Sequence, residues 1–511
     1  MCSRAIGAGL AAGLITAVGT FVLATARPAV AASCTAGVES DFNGDGVRDT
    51  AIADPQATVE GQSKAGLVRV VLGGGKGVYE ISQALSGMTA NPEAGDQFGY
   101  AISVYDADDD GCADLVAGAP YEDVTTAQGP QPDAGGVYVV HGTPAGIGAG
   151  SVIDSYTQAG LDGSTATEAG DLFGFSLAAA RTSTGKPFLA VGVPGEAIGS
   201  LEDAGCIHYV QGSMATTVNQ DDPGIPGVAE ANDRFGYSLA ARSRYFVVGA
   251  PGEAIGTETF AGAVTVFNHT LADGRPTALG AVDENQPALV SGTAEKDDRF
   301  GTAVAIVSYR PEDAASETDA LLAIGTPNED VGNVADAGAV TVVHVKPTGI
   351  VNEVNLVDRL SPGVEGDPVV GDFFGQRVVI SGTDAGEVGT PETVRLAVSV
   401  PNQEVGSVEN AGAVQVFNGL GAPGDGDRML TRGAGLPDTA EARDFTGLGL
   451  WGTGSRLYVG VPYSKSAGAQ KGVVYSLPWP VAGGASGTVT TLKPGMDGIP
   501  EEGKAFGSAI R

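Results

Sequence analysis

Short apolar segments recur along the chain from residue 51 to its end, and Gly- and Pro-rich turns separate them. Some segments are almost continuously apolar, such as LAVGVP at 189–194 and FVVGAP at 246–251, which is typical of strands buried on both faces. Others alternate between apolar and polar positions, such as GAVTVF at 262–267, as half-buried strands do. The pattern predicts an all-β protein built from many short strands.

These segments belong to one repeated module. It opens with Phe-Gly, ends its second strand in a Gly-x-Pro-like triplet, and starts its third strand with Ala-Gly-x-Val. Pro ends a strand because it cannot donate a ladder hydrogen bond. The Phe anchors, 61 to 75 residues apart, are Phe98, Phe173, Phe235, Phe300, Phe374 and Phe506, with Phe445 as a degenerate copy. The triplets end at Pro55, Pro120, Pro194, Pro251, Pro327, Pro401 and Pro462.

Each module is long enough for about four short strands, the usual content of a propeller blade. Seven triplets therefore predict a seven-bladed β-propeller. The first module lacks Phe-Gly, whereas the chain ends in KAFGSAIR at 504–511, which has Phe-Gly but no triplet. We expect these two parts to share one blade, so that pairing of N- and C-terminal strands closes the ring and removes exposed sheet edges.

Phe-Gly followed by Gly-Ala-Pro resembles the FG-GAP repeat of integrin α-subunit propellers and of many bacterial secreted proteins. The resemblance covers nearly the whole of 33–511, which we predict to be a single seven-bladed domain. It implies Ca²⁺-binding loops between the first two strands of a blade, and ligand-binding loops on the opposite face. It does not imply an integrin, because folds host many functions.

Two acidic segments have the ligand spacing of a calcium loop. Residues 41–49 and 106–114 place oxygen ligands at positions 1, 3, 5 and 9, a backbone carbonyl at position 7, and Gly at position 6. The predicted metal ligands are Asp41, Asn43, Asp45, Val47 and Asp49 in loop 1, and Asp106, Asp108, Asp110, Cys112 and Asp114 in loop 2. We expect two Ca²⁺ ions that clamp the loops. The alternative is a pair of solvated acidic turns.

A Glu follows most triplets, and an Asp precedes most Phe-Gly pairs. The Glu residues are Glu122, Glu196, Glu253, Glu329 and Glu404. They could form an acidic docking surface or cap backbone N–H groups within solvated turns. The Asp residues are Asp96, Asp171, Asp233, Asp298 and Asp372. A short carboxylate at this point is expected to accept local backbone N–H groups and fix the turn.

The N-terminal 32 residues differ from the rest. Arg4 precedes a long small and apolar run, and Ala29-Val30-Ala31 supplies a cleavage pattern, so residues 1–32 are predicted to be a secretory signal peptide. A retained membrane anchor is the alternative. Cys34, Cys112 and Cys206 would remain in an oxidising compartment. The sequence leaves their pairing open, and we favour Cys34–Cys112 because neighbouring repeats place these segments close together.

A formal net charge of −33 argues against nucleic-acid partners, which require clustered Lys and Arg. We predict a secreted, monomeric, non-enzymatic calcium-binding scaffold of adhesion type, not membrane-spanning, whose partner is an extracellular protein or a cell-surface polymer. The sequence gives no catalytic constellation; the histidines, for example, are spread over four modules without zinc-ligand spacing. The alternative is a carbohydrate-binding lectin, or a propeller-type polysaccharide lyase or hydrolase.

Overall fold

The computed structural model describes residues 34 to 511 except 36, 384, 385 and 467. The predicted signal peptide, residues 1–32, lies outside the described residues. The described chain forms seven blades of four or five strands, antiparallel except for one short parallel pair in blade 6, with very little helix. In this part of the chain, no helix is long and apolar enough to cross a membrane.

The strands run in chain order from blade to blade. Blade 1 contains β1 (Thr50–Asp54), β2 (Leu67–Val71) and β3 (Val78–Ile81). Blade 2 contains β4 (Ile102–Tyr105), β5 (Asp114–Ala119), the separate hairpin β6 (Val124–Thr126) and β7 (Gly129–Gln131), β8 (Gly136–Val140) and β9 (Ile153–Tyr156). Blade 3 contains β10 (Ser176–Arg181), β11 (Pro187–Val193), β12 (Cys206–Gln211) and β13 (Met214–Val218). Blade 4 contains β14 (Ser238–Ala241), β15 (Tyr245–Ala250), β16 (Ala263–Ala272) and β17 (Arg275–Val282). Blade 5 contains β18 (Ala303–Tyr309), β19 (Asp319–Thr326), β20 (Ala339–Lys346) and β21 (Gly349–Val357).

Blades 6 and 7 complete the ring. Blade 6 contains β22 (Val378–Gly382), β23 (Val394–Val400), β24 (Ala413–Asn418), β25 (Arg428–Arg432) and β26 (Gly435–Leu436). Blade 7 contains β27 (Gly449–Gly452), β28 (Arg456–Val461), β29 (Val473–Pro478) and β30 (Thr490–Leu492). The last strand, β31 (Ala509–Ile510), belongs to blade 1. Short helices α1 (Gln158–Leu161) and α2 (Trp479–Ala482) and a 3₁₀ turn at Gly73–Gly75 lie in the connections.

The predicted closure of the ring is confirmed. β31 pairs with β1 in blade 1, with Ile52 opposite Ile510 and Ala53 opposite Ala509. The carboxylate of Asp54 accepts the backbone N–H groups of Lys504 and Ala505, both at 2.8 Å. The two ends of the chain are therefore held together by sheet pairing and by a buried carboxylate.

Each Phe-Gly turn joins its blade to the preceding one. The Phe rings of all six intact copies are fully buried. The Phe235 N–H donates to the Ala204 carbonyl at 3.0 Å, and the same bond recurs from blade to blade. Gly205 has φ +83°, and a Cβ atom there would lie 2.3 Å from the Phe235 carbonyl oxygen. The Ala-Gly pair thus contains Gly because two backbones meet there.

Blade 7 departs from the sequence prediction. Thr446, and not Phe445, occupies the buried anchor position, and its N–H donates to the Ala411 carbonyl at 3.0 Å. Its hydroxyl donates to the same carbonyl at 2.8 Å. The spacing from Phe445 to the following Gly is one residue longer than in the other copies, which shifts the Phe out of register.

The innermost strands line a central channel with a cavity of about 270 Å³. These strands are β4, β10, β14, β18, β22, β27 and β31. Because each inner strand starts at a Phe-Gly turn and ends at the loop to the second strand, the ring has two distinct faces. We call them the Phe-Gly face and the acidic-loop face.

Candidate functional site

The two acidic loops lie on the acidic-loop face, on adjacent blades. Loop 2 connects β4 to β5, the first two strands of blade 2. Loop 1 leads into β1, and its blade's innermost strand is β31, which comes from the other end of the chain. The loops therefore hold equivalent places, although one of them begins its blade without a covalent connection to the inner strand.

The loops share one set of internal hydrogen bonds. In loop 1, Asp41 accepts the N–H of Gly46 at 2.7 Å, and Asp45 accepts that of Val47 at 2.9 Å. Asp49 is buried and accepts the N–H groups of Phe42 at 2.9 Å and Gly73 at 2.7 Å. Burial raises the pKa of Asp49 to about 6. The side chains at positions 1, 5 and 9 thus fold the loop inward around its own backbone.

Loop 2 repeats these bonds at the equivalent positions. Asp106 accepts the N–H of Gly111 at 3.3 Å, and Asp110 accepts that of Cys112 at 2.7 Å. Asp114 is buried and accepts the N–H groups of Ala107 and Gly142 at 2.7 and 2.9 Å. Two loops of different sequence thus adopt one conformation.

Loop 2 gathers its carboxylates more closely than loop 1. One oxygen each of Asp106, Asp108 and Asp110 lies within 4.8 Å of the others. Among the described residues, no donor reaches the buried Oδ1 of Asp106. Burial raises the pKa of both Asp106 and Asp110. These oxygens fit a hard cation, which prefers carboxylate ligands.

Basic side chains of the protein itself also lie against the loops. Lys76 bonds to Asp45 of loop 1, and this hydrogen bond lowers the pKa of Asp45. In loop 2, Arg181 lies 3.4 Å from Asp106. A cation entering either loop would therefore displace or compete with one of these groups.

The sequence analysis missed His141, which lies directly after β8 beside loop 2. Its Nδ1 is 3.5 Å from Asp108 and 3.4 Å from Asp114, and its Nε2 is 3.0 Å from Asp154. The nearby carboxylates of Asp114 and Asp154 raise the pKa of His141 to about 9 despite its burial. No spacing signal within the loop could have revealed this contact, because it crosses from the third strand of the blade.

The favoured disulfide is present. Cys34 and Cys112 are bonded, with their Cα atoms 5.1 Å apart, and Cys206 is buried and unpaired. The bond ties the segment before loop 1 to position 7 of loop 2. It holds the two acidic loops as one unit.

The Glu residues after the triplets do not form an exposed ring, so the docking-surface interpretation is wrong for them. Glu122 and Glu196 are buried. Three of the Glu residues receive a hydrogen bond from a Gln of the preceding blade: Gln83 donates to Glu122, Gln158 to Glu196 and Gln220 to Glu253. Glu404 is exposed because Gln403 occupies the equivalent position in blade 6.

The Asp residues before Phe-Gly act as predicted. Asp96, Asp171 and Asp233 each accept the backbone N–H three residues earlier, at 2.6, 2.6 and 2.5 Å. Burial raises the pKa of Asp171 to about 7. These carboxylates fix the turn at the edge of each blade.

The Phe-Gly end of the channel carries an arc of aromatic rings. Tyr100, Phe175 and Tyr237 follow the Phe-Gly pairs of blades 2, 3 and 4, with successive ring centroids 5.0 Å apart. All three are partly exposed and line the channel. Tyr121 meets Tyr100 edge-on, at 5.8 Å between centroids. The exposed Arg377 of blade 6 also lines this end.

The opposite end of the channel is charged. Arg511 lies over the ring of Trp451, with the guanidinium carbon 4.0 Å from the ring centroid. Glu39 pairs with Arg48 at 2.8 Å, and Arg242 lies 3.6 Å from Glu387. Burial lowers the pKa of Arg511 to about 10. The channel thus has one aromatic and one charged end.

Three solved structures that match the chain are remote from it in sequence. At 11% identity each, they are Sqt1 of Saccharomyces cerevisiae (TM-score 0.39, 77% of this chain and 75% of that chain), a putative 6-phosphogluconolactonase of Bacteroides uniformis (0.45, 91% and 99%) and a periplasmic gluconolactonase of Pseudomonas aeruginosa (0.42, 91% and 98%). No curated protein matches the chain.

A family model does match. Residues 98–140, from the Phe-Gly turn of blade 2 to the end of β8, match the FG-GAP repeat. The same Phe-Gly, triplet and Ala-Gly positions recur around the seven blades. The chain is therefore an FG-GAP repeat β-propeller.

Proposed function

We propose that this protein is a secreted, non-enzymatic binding scaffold that takes its ligand at the aromatic end of the channel. The observation that carries this proposal is the arc of Tyr100, Phe175 and Tyr237. The same position after Phe-Gly is occupied by Thr302, Gln376, Leu448 and Ser508 in the other blades. Three adjacent aromatic rings are therefore not required by the repeat.

The chemistry of the arc suits a macromolecular partner. Tyr and Arg side chains provide much of the binding energy at protein interfaces, because they combine apolar area with polar groups. Tyr100, Tyr237 and Arg377 all line this end of the channel. The ligand class is an extracellular protein or a cell-surface polymer. The net charge of −33 favours partners that are not themselves strongly anionic.

Calcium at the two acidic loops completes the proposal. The shared hydrogen-bond pattern of the loops and the unpartnered Oδ1 of Asp106 support Ca²⁺ binding there. The ions would clamp the acidic-loop face, since the carboxylates of Asp106, Asp108 and Asp110 repel one another when they are bare. Their place on the opposite face from the aromatic arc assigns them a structural role.

A carbohydrate ligand is the second candidate. Tyr and Phe rings beside a cavity of about 270 Å³ form an apolar wall with polar groups at its rim, which is the usual make-up of a small-molecule site. A lectin would bind a glycan at the arc, whereas a polysaccharide lyase or hydrolase would also cleave it. The two candidates share one site and differ in the ligand.

Binding assays on the mature protein test the proposal. Glycan and extracellular-protein panels are probed with calcium and with chelator, and every hit is repeated with Tyr237→Ala. Gln376→Ala changes the equivalent position of blade 6 and is the matched control. Loss of binding only in Tyr237→Ala supports the proposed site. Hits that survive Tyr237→Ala and Tyr100→Ala equally would place the binding surface elsewhere and refute the proposal.

A further inference from the structure

At five of the seven junctions, neighbouring blades meet at a polar contact on the Phe-Gly face. A side chain at or just after the end of the fourth strand of one blade contacts a carboxylate of the next blade, which either follows the triplet Pro or precedes the Phe-Gly anchor. At the first three junctions a Gln side chain donates to a Glu carboxylate, as described above. At the junctions of blades 5 and 6 and of blades 6 and 7, Arg359 pairs with Asp372 at 2.8 Å, and Arg432 pairs with Asp444. Both Asp residues lie two positions before the buried anchor of the next blade. Five junctions thus supply an amide or a guanidinium to a carboxylate.

The junction between blades 4 and 5 breaks this rule. Glu284 stands where these five junctions have Gln or Arg, two residues after Val282 at the end of β17. It faces Glu329 and Asp298, and one oxygen of each of the three carboxylates lies within 4.8 Å of the others. The junction therefore contains three acids and no matching donor from the preceding blade.

Two of these carboxylates, those of Glu284 and Glu329, each have a buried oxygen without a hydrogen-bond partner in the described part of the chain. Glu284 is 3% exposed and Asp298 is 2% exposed. Among the described residues, no hydrogen-bond donor reaches Oε2 of Glu284 or Oε2 of Glu329. Asp298 uses its Oδ2 to accept the Glu295 N–H. Two residues of the cluster thus each contribute a buried, unsatisfied oxygen, and burying a charge is costly unless it is paired or coordinates a metal.

The electrostatics around the cluster increase this cost. Burial and the neighbouring carboxylates raise the pKa of Glu284 to about 9 and that of Glu329 to about 8. The charged groups that act on the pair are further acids, Asp283, Glu295, Asp330 and Asp358. Either bound protons or a cation from outside must therefore neutralise the junction.

We propose that Glu284, Asp298 and Glu329 bind a divalent cation, Ca²⁺ by the nature of the ligands, at the junction of blades 4 and 5. The ion takes the place that the Gln amide or the Arg guanidinium has at those five junctions. Ca²⁺ prefers carboxylate oxygens, and the site provides three such groups from two blades. This site is separate from the acidic loops, which lie on the opposite face. Its role is to join the two blades.

The test exploits the natural variation between junctions. The background is the mature protein with Asp45→Asn and Asp110→Asn, which weakens the two acidic loops. In this background Glu284→Gln copies the side chain of the first three junctions, so the fold has a ready precedent for it. Gln220→Glu makes the reverse change at the junction of blades 3 and 4, beside Asp233 and Glu253. Bound calcium per chain is counted by equilibrium dialysis with radioactive Ca²⁺.

The expected result is one fewer bound Ca²⁺ in Glu284→Gln and one more in Gln220→Glu than in the background protein. Calcium should also raise the melting temperature of the background protein more than that of Glu284→Gln. Equal calcium counts for the background and Glu284→Gln would overturn the inference, since the cluster would then hold a shared proton. Glu329→Gln provides a second variant with the same expected loss. If the acidic loops bind no Ca²⁺, the parent and the background protein should bind equal numbers of Ca²⁺ ions. That outcome would refute the loop proposal without affecting the junction proposal.

Discussion

At the residue scale, the glycine after each third-strand Ala allows the backbones of neighbouring blades to pack closely. Gly205 combines a left-handed φ of +83° with a backbone contact to Phe235. Gly199 has a similar φ of +66°, but a Cβ atom there would meet nothing within 4 Å. The pair separates the conformational requirement for glycine from the steric one.

Gly205→Ala should therefore destabilise the protein by about 2–4 kcal/mol, from the left-handed backbone together with the overpacking of the turn. Gly199→Ala should cost only about 1–2 kcal/mol, since only the backbone term applies. Chemical unfolding of both variants measures the difference. Equal losses would show that the contact with Phe235 relaxes at no cost.

The role of each acidic-loop carboxylate as a Ca²⁺ ligand can also be tested residue by residue. Asp110→Ala and Asp45→Ala should each lower the melting temperature in millimolar calcium, because they remove ligands at position 5. In excess chelator both changes should have little effect. Asp109→Ala, at the non-ligand position 4 of loop 2, is the control that should behave alike in both conditions. An equal loss with and without calcium for Asp110→Ala would contradict a clamp.

At the element scale, the junctions between blades are built from buried carboxylates. Burial, together with the nearby Asp96, raises the pKa of Glu122 to about 8, above its ordinary value of 4.5. Burial also raises the pKa of Glu253 to about 7. The folded protein therefore holds protons at these groups that the unfolded chain releases, so their contribution to stability is lost as the pH rises through the folded values.

The melting temperature in chelator should fall between pH 6 and pH 9. His141, with its pKa raised to about 9, acts in the same direction over this range. Glu122→Gln should flatten the slope, because the amide does not titrate and can still accept from Gln83. Thermal unfolding at several pH values checks this. A melting temperature that does not fall from pH 6 to pH 9 would mean that these groups have the same protonation state in the folded and unfolded chains.

What the sequence could predict at this scale depends on where the partner lies. The Asp before Phe-Gly was interpretable because its acceptor bond is local, three residues away. The partner of Glu122 is Gln83, on another blade and 39 residues distant, and no motif within either segment encodes that pairing. Thr446 was not predicted as an anchor because that role depends on its register with the preceding blade. The adjacent Phe445 resembles the Phe of the motif.

At the scale of the whole molecule, the fold was predictable because the signal repeats. Seven copies of one strand-and-turn pattern, with the Phe-Gly of the first blade supplied by the end of the chain, leave few arrangements other than a closed ring. The ligand was not predictable, because it depends on side chains such as Tyr100 and Phe175 that the repeat does not require.

The closure of the ring by β31 predicts that the whole protein depends on the last residues of the chain for its stability. Removing residues 504–511 deletes β31, the Phe506 anchor of blade 1 and the two N–H groups that Asp54 accepts. The loss leaves an unpaired edge on β1 and a buried carboxylate without donors, so the damage should extend beyond blade 1. We expect the truncated protein to melt at a lower temperature than the parent, in a single transition. Asp54→Ala should reproduce part of the effect without shortening the chain. A truncated protein that melts like the parent would mean that six complete blades are stable without the closing strand.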